Sequence, residues 1–212
     1  MNGFSIRQLA TLWAEDYRTH QSDWFRPGFR ALATYRFGVW RMGVRPKLVR
    51  GLLSVLYKHF YRRSAYYYGI EIPYTARIGR RVTIEHQHGI VIHGASIVGD
   101  DCVLRHGVTL GIRSENHPTD APHLGNRVSV GAGAKILGAV SIGDDAKIGA
   151  NAVVVCDVPA GCTAAGVPAK ILTHRIDRDS DPDKHQSFPN ANEGTIDLSI
   201  DSHTAVIREV TT

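Results

Sequence analysis

Six of the chain's histidines, His86, His88, His93, His106, His117 and His123, fall between positions 86 and 123. Imidazole titrates close to neutral pH, so it serves as a general base or as a metal ligand. His86 and His88 alternate as a strand pair would, but no cysteine or carboxylate spacing completes a zinc set, and no metal is expected. The three cysteines, Cys102, Cys156 and Cys162, are odd in number and show no metal or disulfide spacing. They read as small buried residues in a reducing cytosol. No Ser-His-Asp order and no candidate nucleophilic cysteine stands out, so direct proton-transfer chemistry is simpler than a covalent intermediate. The text Glu85-His86-Gln87-His88-Gly89 offers an imidazole beside a carboxylate, and Glu71 stands 15 residues before His86. A carboxylate on the second ring nitrogen of a histidine base fixes its tautomer and stabilises the imidazolium that forms.

The elements that position these groups follow a six-residue period. Ile72, Ile78 and Ile84 form one block; Ile92, Val98, Leu104 and Leu110 a second; Leu124, Val130, Ile136, Ile142, Ile148 and Val154 a third. The residue after the aliphatic is often glycine, and the residue four after it is small or β-branched, as at Ala76, Cys102, Val128 and Ala146. Six steps at 100° would scatter the aliphatics over three faces of a helix. In a strand, positions i and i+4 lie on the same side. The pattern therefore predicts a solenoid of very short strands stacked on a narrow aliphatic interior, with glycines at corners that need permissive dihedrals.

The period breaks twice. Between Ile84 and Ile92 the step is eight, which bulges the chain around His86. Between Leu110 and Leu124 it is 14, and the polar segment from Gly111 to His123 reads as a loop protruding from a flat wall. Function on a rigid scaffold tends to sit on such interruptions.

From about Tyr66 to Leu172 the chain resembles the left-handed β-helix (hexapeptide-repeat) acyltransferases, and within them the serine acetyltransferase group. The matching text runs through Ile70-Glu71-Ile72, Ala76-Arg77-Ile78-Gly79, Glu85-His86, Gly89-Ile90-Val91 and Gly107-Val108-Thr109-Leu110-Gly111. It continues through Gly131-Ala132-Gly133-Ala134-Lys135-Ile136-Leu137-Gly138, Ala146-Lys147-Ile148-Gly149-Ala150 and Ala165-Gly166-Val167-Pro168-Ala169. The resemblance implies a left-handed parallel β-helix, three prisms packed as a homotrimer, and acetyl-CoA sites at subunit junctions; trimer and hexamer both stay open. It makes His86 the base, Glu71 its orienting carboxylate where the family usually has Asp, and Glu85 an acceptor contact. Gly111, Ala132 and Ala150 match family positions along the pantetheine-binding edge. Lys147, Lys170 and Arg175 are candidates for the nucleotide phosphates.

One departure bears on the acceptor. The serine enzymes carry an Arg-His pair before a Pro in the protruding loop, which holds the amino-acid carboxylate. Here Asp120 and Ala121 precede Pro122-His123, and Ile112-Arg113-Ser114-Glu115-Asn116 replaces the Gly-rich loop start. Arg113 and His123 are the remaining candidates for that carboxylate. Three readings stay open: a serine O-acetyltransferase, an O-acetyltransferase acting on a sugar or polysaccharide precursor, and a non-enzymatic β-helix assembly module.

The flanks are unlike the middle. Of the 17 Phe, Tyr and Trp residues, 16 precede position 75, and residues 24–70 hold ten Lys or Arg with no Asp or Glu. Three amphipathic helices are expected in residues 1–68. The first, 4–17, has Ile6, Leu9, Ala10, Trp13 and Tyr17 on one face behind a Ser5–Gln8 capping box. The second runs from Pro27 to Arg41 with Phe29, Leu32, Ala33, Phe37 and Trp40 inward. The third follows Pro46 with Val49, Leu52, Leu53, Leu56 and Phe60 inward. They read as a cap on the solenoid 69–173, and their basic, aromatic character also suits an anionic membrane surface. No nucleic-acid motif is present. The acidic 174–212 segment reads as a flexible tail, with Ile196, Leu198, Ile200 and Val206 as a possible short strand. No signal peptide or membrane span is expected, which suggests the cytoplasm, with peripheral contact at the inner membrane face.

Overall fold

The computed structural model describes residues 5–172. The acidic tail, its strand-forming stretch and Arg175 lie outside them. Fifteen short strands wind into three parallel sheets that form the walls of a prism. The first sheet stacks β1 (Ile70–Glu71), β4 (Ile90–Ile92), β7 (Thr109–Gly111), β10 (Lys135–Leu137) and β13 (Val153–Val154). The second stacks β2 (Arg77–Ile78), β5 (Ile97–Val98), β8 (His123–Leu124) and β11 (Ser141–Ile142). The third stacks β3 (Thr83–Glu85), β6 (Val103–Arg105), β9 (Ser129–Val130), β12 (Lys147–Ile148) and β14 (Thr163–Ala165), and β15 (Lys170–Leu172) closes it antiparallel.

All 13 aliphatics of the six-residue register are buried, and so are the small or β-branched residues four positions later within the regular coils, from Ala76 to Val158; Ser114, in the protruding loop, is exposed. The even period therefore does what strand geometry requires, sending both columns to one interior. The corner glycines work differently from the expectation. Gly79, Gly99 and Gly125 do not have positive φ; an added Cβ there would overlap the next coil's backbone or, at Gly125, the Asp144 side chain. Close stacking of coils, and not dihedral freedom, excludes a side chain. At that corner the left-handed backbone is taken by Arg81, Asp101, Arg127 and Asp145, two residues on from the glycines, whereas glycine itself takes it at Gly69, Gly89, Gly107 and Gly133 on the edge between the third and first sheets.

The edge between the second and third sheets is closed by polar ladders. Asp100 Oδ1 accepts from Arg80 N, Asn126 Oδ1 from Asp100 N and Asp144 Oδ1 from Asn126 N. Arg81–Asp101 and Arg127–Asp145 ion pairs lie outside them, at 2.6 and 2.7 Å. Cys102 is buried as expected, but Cys156 is exposed and Cys162 partly so, because both fall at corners.

Three helices cover the first coil: α1 (Ile6–Thr19), α2 (Pro27–Met42) and α3 (Lys47–Arg63). The Ser5–Gln8 capping box starts α1 and Pro27 opens α2, as expected. In α1, Ile6 and Ala10 are exposed; the packed side is Leu9, Asp16 and Tyr17, followed by buried His20. The two polar members bury because distant groups satisfy them. Asp16 pairs with Arg36 at 3.0 Å, and Arg36 donates to Ile78 O and Gly79 O. His20 accepts from Ile84 N at 3.1 Å. Tyr35 OH bridges Ala76 O and Ile78 N, so α2 is bonded to the open end of the solenoid.

The third helix turns most of its expected inner face outward. Only Tyr57 is fully buried, and the flank that packs carries Arg50, Leu53, Ser54, Tyr57 and Tyr61, of which only Leu53 was expected inward. Leu48, Leu52 and Val55 are 88%, 74% and 67% exposed, and Val49, Leu56 and Phe60 are exposed beside them. Tyr57 wins the inner face because its ring packs edge-on to Tyr74 and stacks beneath the Arg41 guanidinium, while its hydroxyl accepts from Tyr74 N. Beyond α3 a π-turn, Ser64–Tyr68, ends at Gly69 and feeds β1.

Candidate active site

The bulge that interrupts the period projects His86 from the edge between the third and first sheets. His86 and His88 both adopt left-handed backbone, φ +65 and +76, a conformation that costs a non-glycine residue roughly 1–2 kcal/mol. The neighbouring coils hold it there: His88 N donates to Tyr68 O at 2.8 Å and His88 O accepts from Gly107 N at 2.9 Å. The side chain of His86 is exposed, and its ring meets His106 of the next coil edge-on at 5.6 Å. His106 is therefore a neighbour of the candidate base that the sequence offered only as one more histidine. The 20-residue step from 86 to 106, equal to the Glu85–Arg105 register, carries that stacking.

Glu85 ends β3 and pairs with Arg105 at 2.9 Å, and Arg105 also donates to Ser129 Oγ. Glu71 lies exposed on the outer face of β1, level with Val91 of β4. The coil joining them is 20 residues long because it contains the bulge. Among the described residues no hydrogen bond or ion pair joins Glu71 to His86.

The edge that carries His86 continues downward through small residues. Gly133 N donates to His106 O, and Asn151 N donates to Ala132 O, both at 2.8 Å. Ala132 and Ala150 thus follow His86 and His106 along one line. Their short side chains leave the edge shallow enough for an extended arm rich in amides. Gly111 is not on this line; it ends β7 at the edge between the first and second sheets, where its carbonyl accepts from Gly138 N. Arg113 is on that second edge too, its stem against Gly138, whose added Cβ would lie 2.6 Å from Arg113 Cδ. There the protruding loop and the corners below it enclose about 670 Å³, lined by Arg113, His117, Asp120 and Asp157 among others. His123 does not line that cavity; it is exposed on the flat wall of β8. Lys170 is exposed on closing strand β15, and Lys147 on β12. No three His, Cys, Asp or Glu side chains converge as a metal site among the described residues.

A smaller cavity of about 290 Å³ adjoins His86 itself. Its walls are Thr83, Ile84, Glu85 and His86 on one side and Thr19, His20, Gln21 and Arg26 of the α1–α2 connection on the other. The helical cap is thus part of the site, which no local sequence signal showed. Burial holds the His20 imidazole below its ordinary pKa, so the ring stays neutral and its Nε2 accepts from Ile84 N. An added Cβ on Gly28 would overlap the Ile84 carbonyl, so the start of α2 is pressed against β3.

A coiled prism of hexapeptides with a histidine thrown out of one edge defines a hexapeptide-repeat transferase. Residues 121–156 match the family described as bacterial transferase hexapeptide (six repeats). The serine acetyltransferase of Helicobacter pylori strain 26695 is 46% identical over 151 residues, 69% of this chain and 82% of that protein. That of Synechococcus elongatus is 38% identical over 175 residues, 82% of this chain and 68% of that one. Among solved structures, serine acetyltransferase from Brucella abortus in complex with coenzyme A superposes with a TM-score of 0.68 at 28% identity, covering 79% of this chain and 68% of that one. Soybean serine acetyltransferase complexed with serine gives 0.66 at 29%, covering 78% and 70%. The chain belongs to the serine acetyltransferase family of hexapeptide-repeat transferases.

Proposed function

We propose that the protein transfers an acetyl group from acetyl-CoA to the hydroxyl of serine by direct general-base catalysis at His86. The observation that carries this reading is the bulge, which lifts His86 off the wall, beside a cavity and at the head of the small-residue edge. His86 takes the hydroxyl proton as the oxygen attacks the thioester carbonyl. The C–O bond forms, the C–S bond breaks, and the imidazolium returns the proton to the departing thiolate. Glu71, one coil above the bulge, is the carboxylate that steadies the imidazolium, its extra methylene providing reach towards the ring. Ala132 and Ala150 flank the pantetheine, with Lys170 and Lys147 available to its phosphates. The complexes of relatives with coenzyme A and with serine support both substrates. Thiol release from acetyl-CoA in the presence of L-serine tests the reading, and His86→Ala is expected to lower kcat by roughly 10²–10⁴-fold. Full activity in His86→Ala would rule the mechanism out.

A second acceptor reading is favoured by one observation: Asp120, in the wall of the larger cavity, stands where the resemblance places an arginine. A carboxylate there repels a carboxylate acceptor and hydrogen-bonds a sugar hydroxyl. Thiol release with nucleotide sugars or oligosaccharides but not with serine would select it. An inert protein that binds no acetyl-CoA would be an assembly module.

A homotrimer with sites between subunits accommodates the division of Gly111 and Arg113 from Ala132 and Ala150. Two edges of one prism carry them, so complete sites need a partner's edge. Use of acetyl-CoA and the unpaired cysteines support a cytoplasmic location. There the outward face of α3 contacts an anionic membrane surface. Leu48, Leu52 and Val55 form its exposed apolar stripe, flanked by Lys47, Lys58 and Arg62, and the helix contains no carboxylate. A second copy of α3 would bring like charges together, whereas anionic headgroups complement them.

A further inference from the structure

An α-amino acid acceptor presents a carboxylate and an ammonium beside its hydroxyl, and the loop that would hold the carboxylate offers Asp120 and Ala121 instead. Arg113, the cation in that loop, lines the larger cavity on a different edge of the prism, so within one chain it does not meet the cavity at His86, and only a partner's edge could bring it there. We propose that Arg26, at the start of α2, is the residue that binds the acceptor carboxylate and sets the preference for an amino acid; this rests on serine being the acceptor.

Four observations carry it. Arg26 and Glu85 are the one arginine and the one carboxylate lining the cavity that contains His86. The two do not pair with each other. Glu85 is held across the coils by Arg105 at 2.9 Å, and among the described residues the Arg26 side chain has only a hydrogen bond to Gln21 Oε1 and a loose 3.9 Å approach to Asp23. The cavity, about 290 Å³, is at the small end of ligand pockets, which run from roughly 300 to 1,000 Å³, and suits a single small zwitterion. The connection bearing Arg26 is clamped on β3 by the His20–Ile84 bond and the close approach of Gly28, so its distance from His86 is fixed by packing.

Serine then lies with its carboxylate on the Arg26 guanidinium, its ammonium toward Glu85 and its hydroxyl at His86. A guanidinium suits a carboxylate because its planar fork donates two parallel hydrogen bonds. Arg26 stands at the N-terminal end of α2, where the positive end of the helix dipole adds to the field that an anion meets.

Steady-state kinetics of Arg26→Gln and Arg26→Lys, with serine and with serinamide as acceptors, test the proposal. Loss of a charged hydrogen-bonded pair is expected to raise the KM for serine roughly 10- to 100-fold in Arg26→Gln. The KM for acetyl-CoA should hold, kcat should change little, and Arg26→Lys should recover part of the loss. Serinamide, which lacks the negative charge, should be a poor acceptor for the wild type, and Arg26→Gln should erase the difference between the two. A purely structural role would weaken both acceptors alike, and that result overturns the proposal, as does an unchanged KM for serine. If the glutamine variant fails to fold, equal use of serine and serinamide by the wild type is the overturning result. A wild type that acetylates sugars and never serine sinks the acceptor reading and the role of Arg26 with it, and is recognised without any variant.

Discussion

Replacing Asp16 with asparagine keeps the side chain's shape and deletes one charge from the contact that fastens the helical cap to the solenoid. Asp16 is 0% and Arg36 2% exposed, and two hydrogen bonds join them, Nε to Oδ2 at 3.0 Å and Nη2 to Oδ1 at 3.4 Å. Burial pushes the Asp16 carboxyl above its usual range and Arg36 pulls it back. Arg36 also donates to the carbonyls of Ile78 and Gly79, so it stays in place when its partner is neutralised and becomes a buried cation without a counter-charge. Breaking one side of a buried pair costs about 3–5 kcal/mol. For a chain of this length that is a fall in melting temperature of roughly 6–20 °C, taking about 2–4 °C per kcal/mol. Urea and thermal unfolding of Asp16→Asn, Arg36→Met and the double variant measure it. The double variant should recover most of the loss, since it removes the orphaned charge and keeps an apolar stem. Because the α1–α2 connection walls the cavity at His86, the single variant should also raise the acceptor KM more than the acetyl-CoA KM. A single variant within 1 kcal/mol of wild type, or a double variant no better than the single, would refute the reasoning.

Two further outcomes are expected. His20 is held neutral by burial, below its ordinary pKa of 6.5, so below about pH 6.5 the unfolded chain takes up a proton that the native one refuses. Native stability should therefore fall as pH drops from 7 to 5.5, and His20→Gln should flatten that slope; an equal slope in the variant contradicts it. Vesicles containing phosphatidylglycerol should sediment the protein at low salt and release it at high salt, and neutral vesicles should not. Leu52→Ser with Val55→Ser, or Lys58→Gln with Arg62→Gln, should abolish binding. If the serine pair instead changes the oligomer mass, α3 faces another copy of the chain and the membrane assignment fails.

Much of the solenoid was legible because its physics is local and repeated. A strand that buries positions i and i+4 on an interior one side chain wide admits only aliphatic and small residues, and 13 register positions obey that rule. The bulge at His86 was legible as an extra two residues against a fixed period. The cause of the corner glycines was not, because the approach of one coil to the next is set by stacking and leaves no trace in the dihedral preferences of a single turn. The face of α3 was misjudged for a related reason. Hydrophobic periodicity marks an apolar stripe, but Tyr57, Tyr74 and Arg41 decide by their mutual packing which stripe turns inward.

By itself, then, the amino-acid order determined the prism, the position of its interruptions and the histidine that one of them displays. Each of those is written in spacing along a regular coil. Tertiary structure alone decided what surrounds that histidine. Arg26 and Gln21 reach the His86 cavity from 60 and 65 positions away, His20 buries because Ile84 meets it 64 positions on, and Asp16 buries against Arg36, which itself reaches across to Ile78 and Gly79. Polar groups so far apart in sequence carry no shared period; only the docking of the cap on the first coil, which satisfies their hydrogen bonds, brings them to one site.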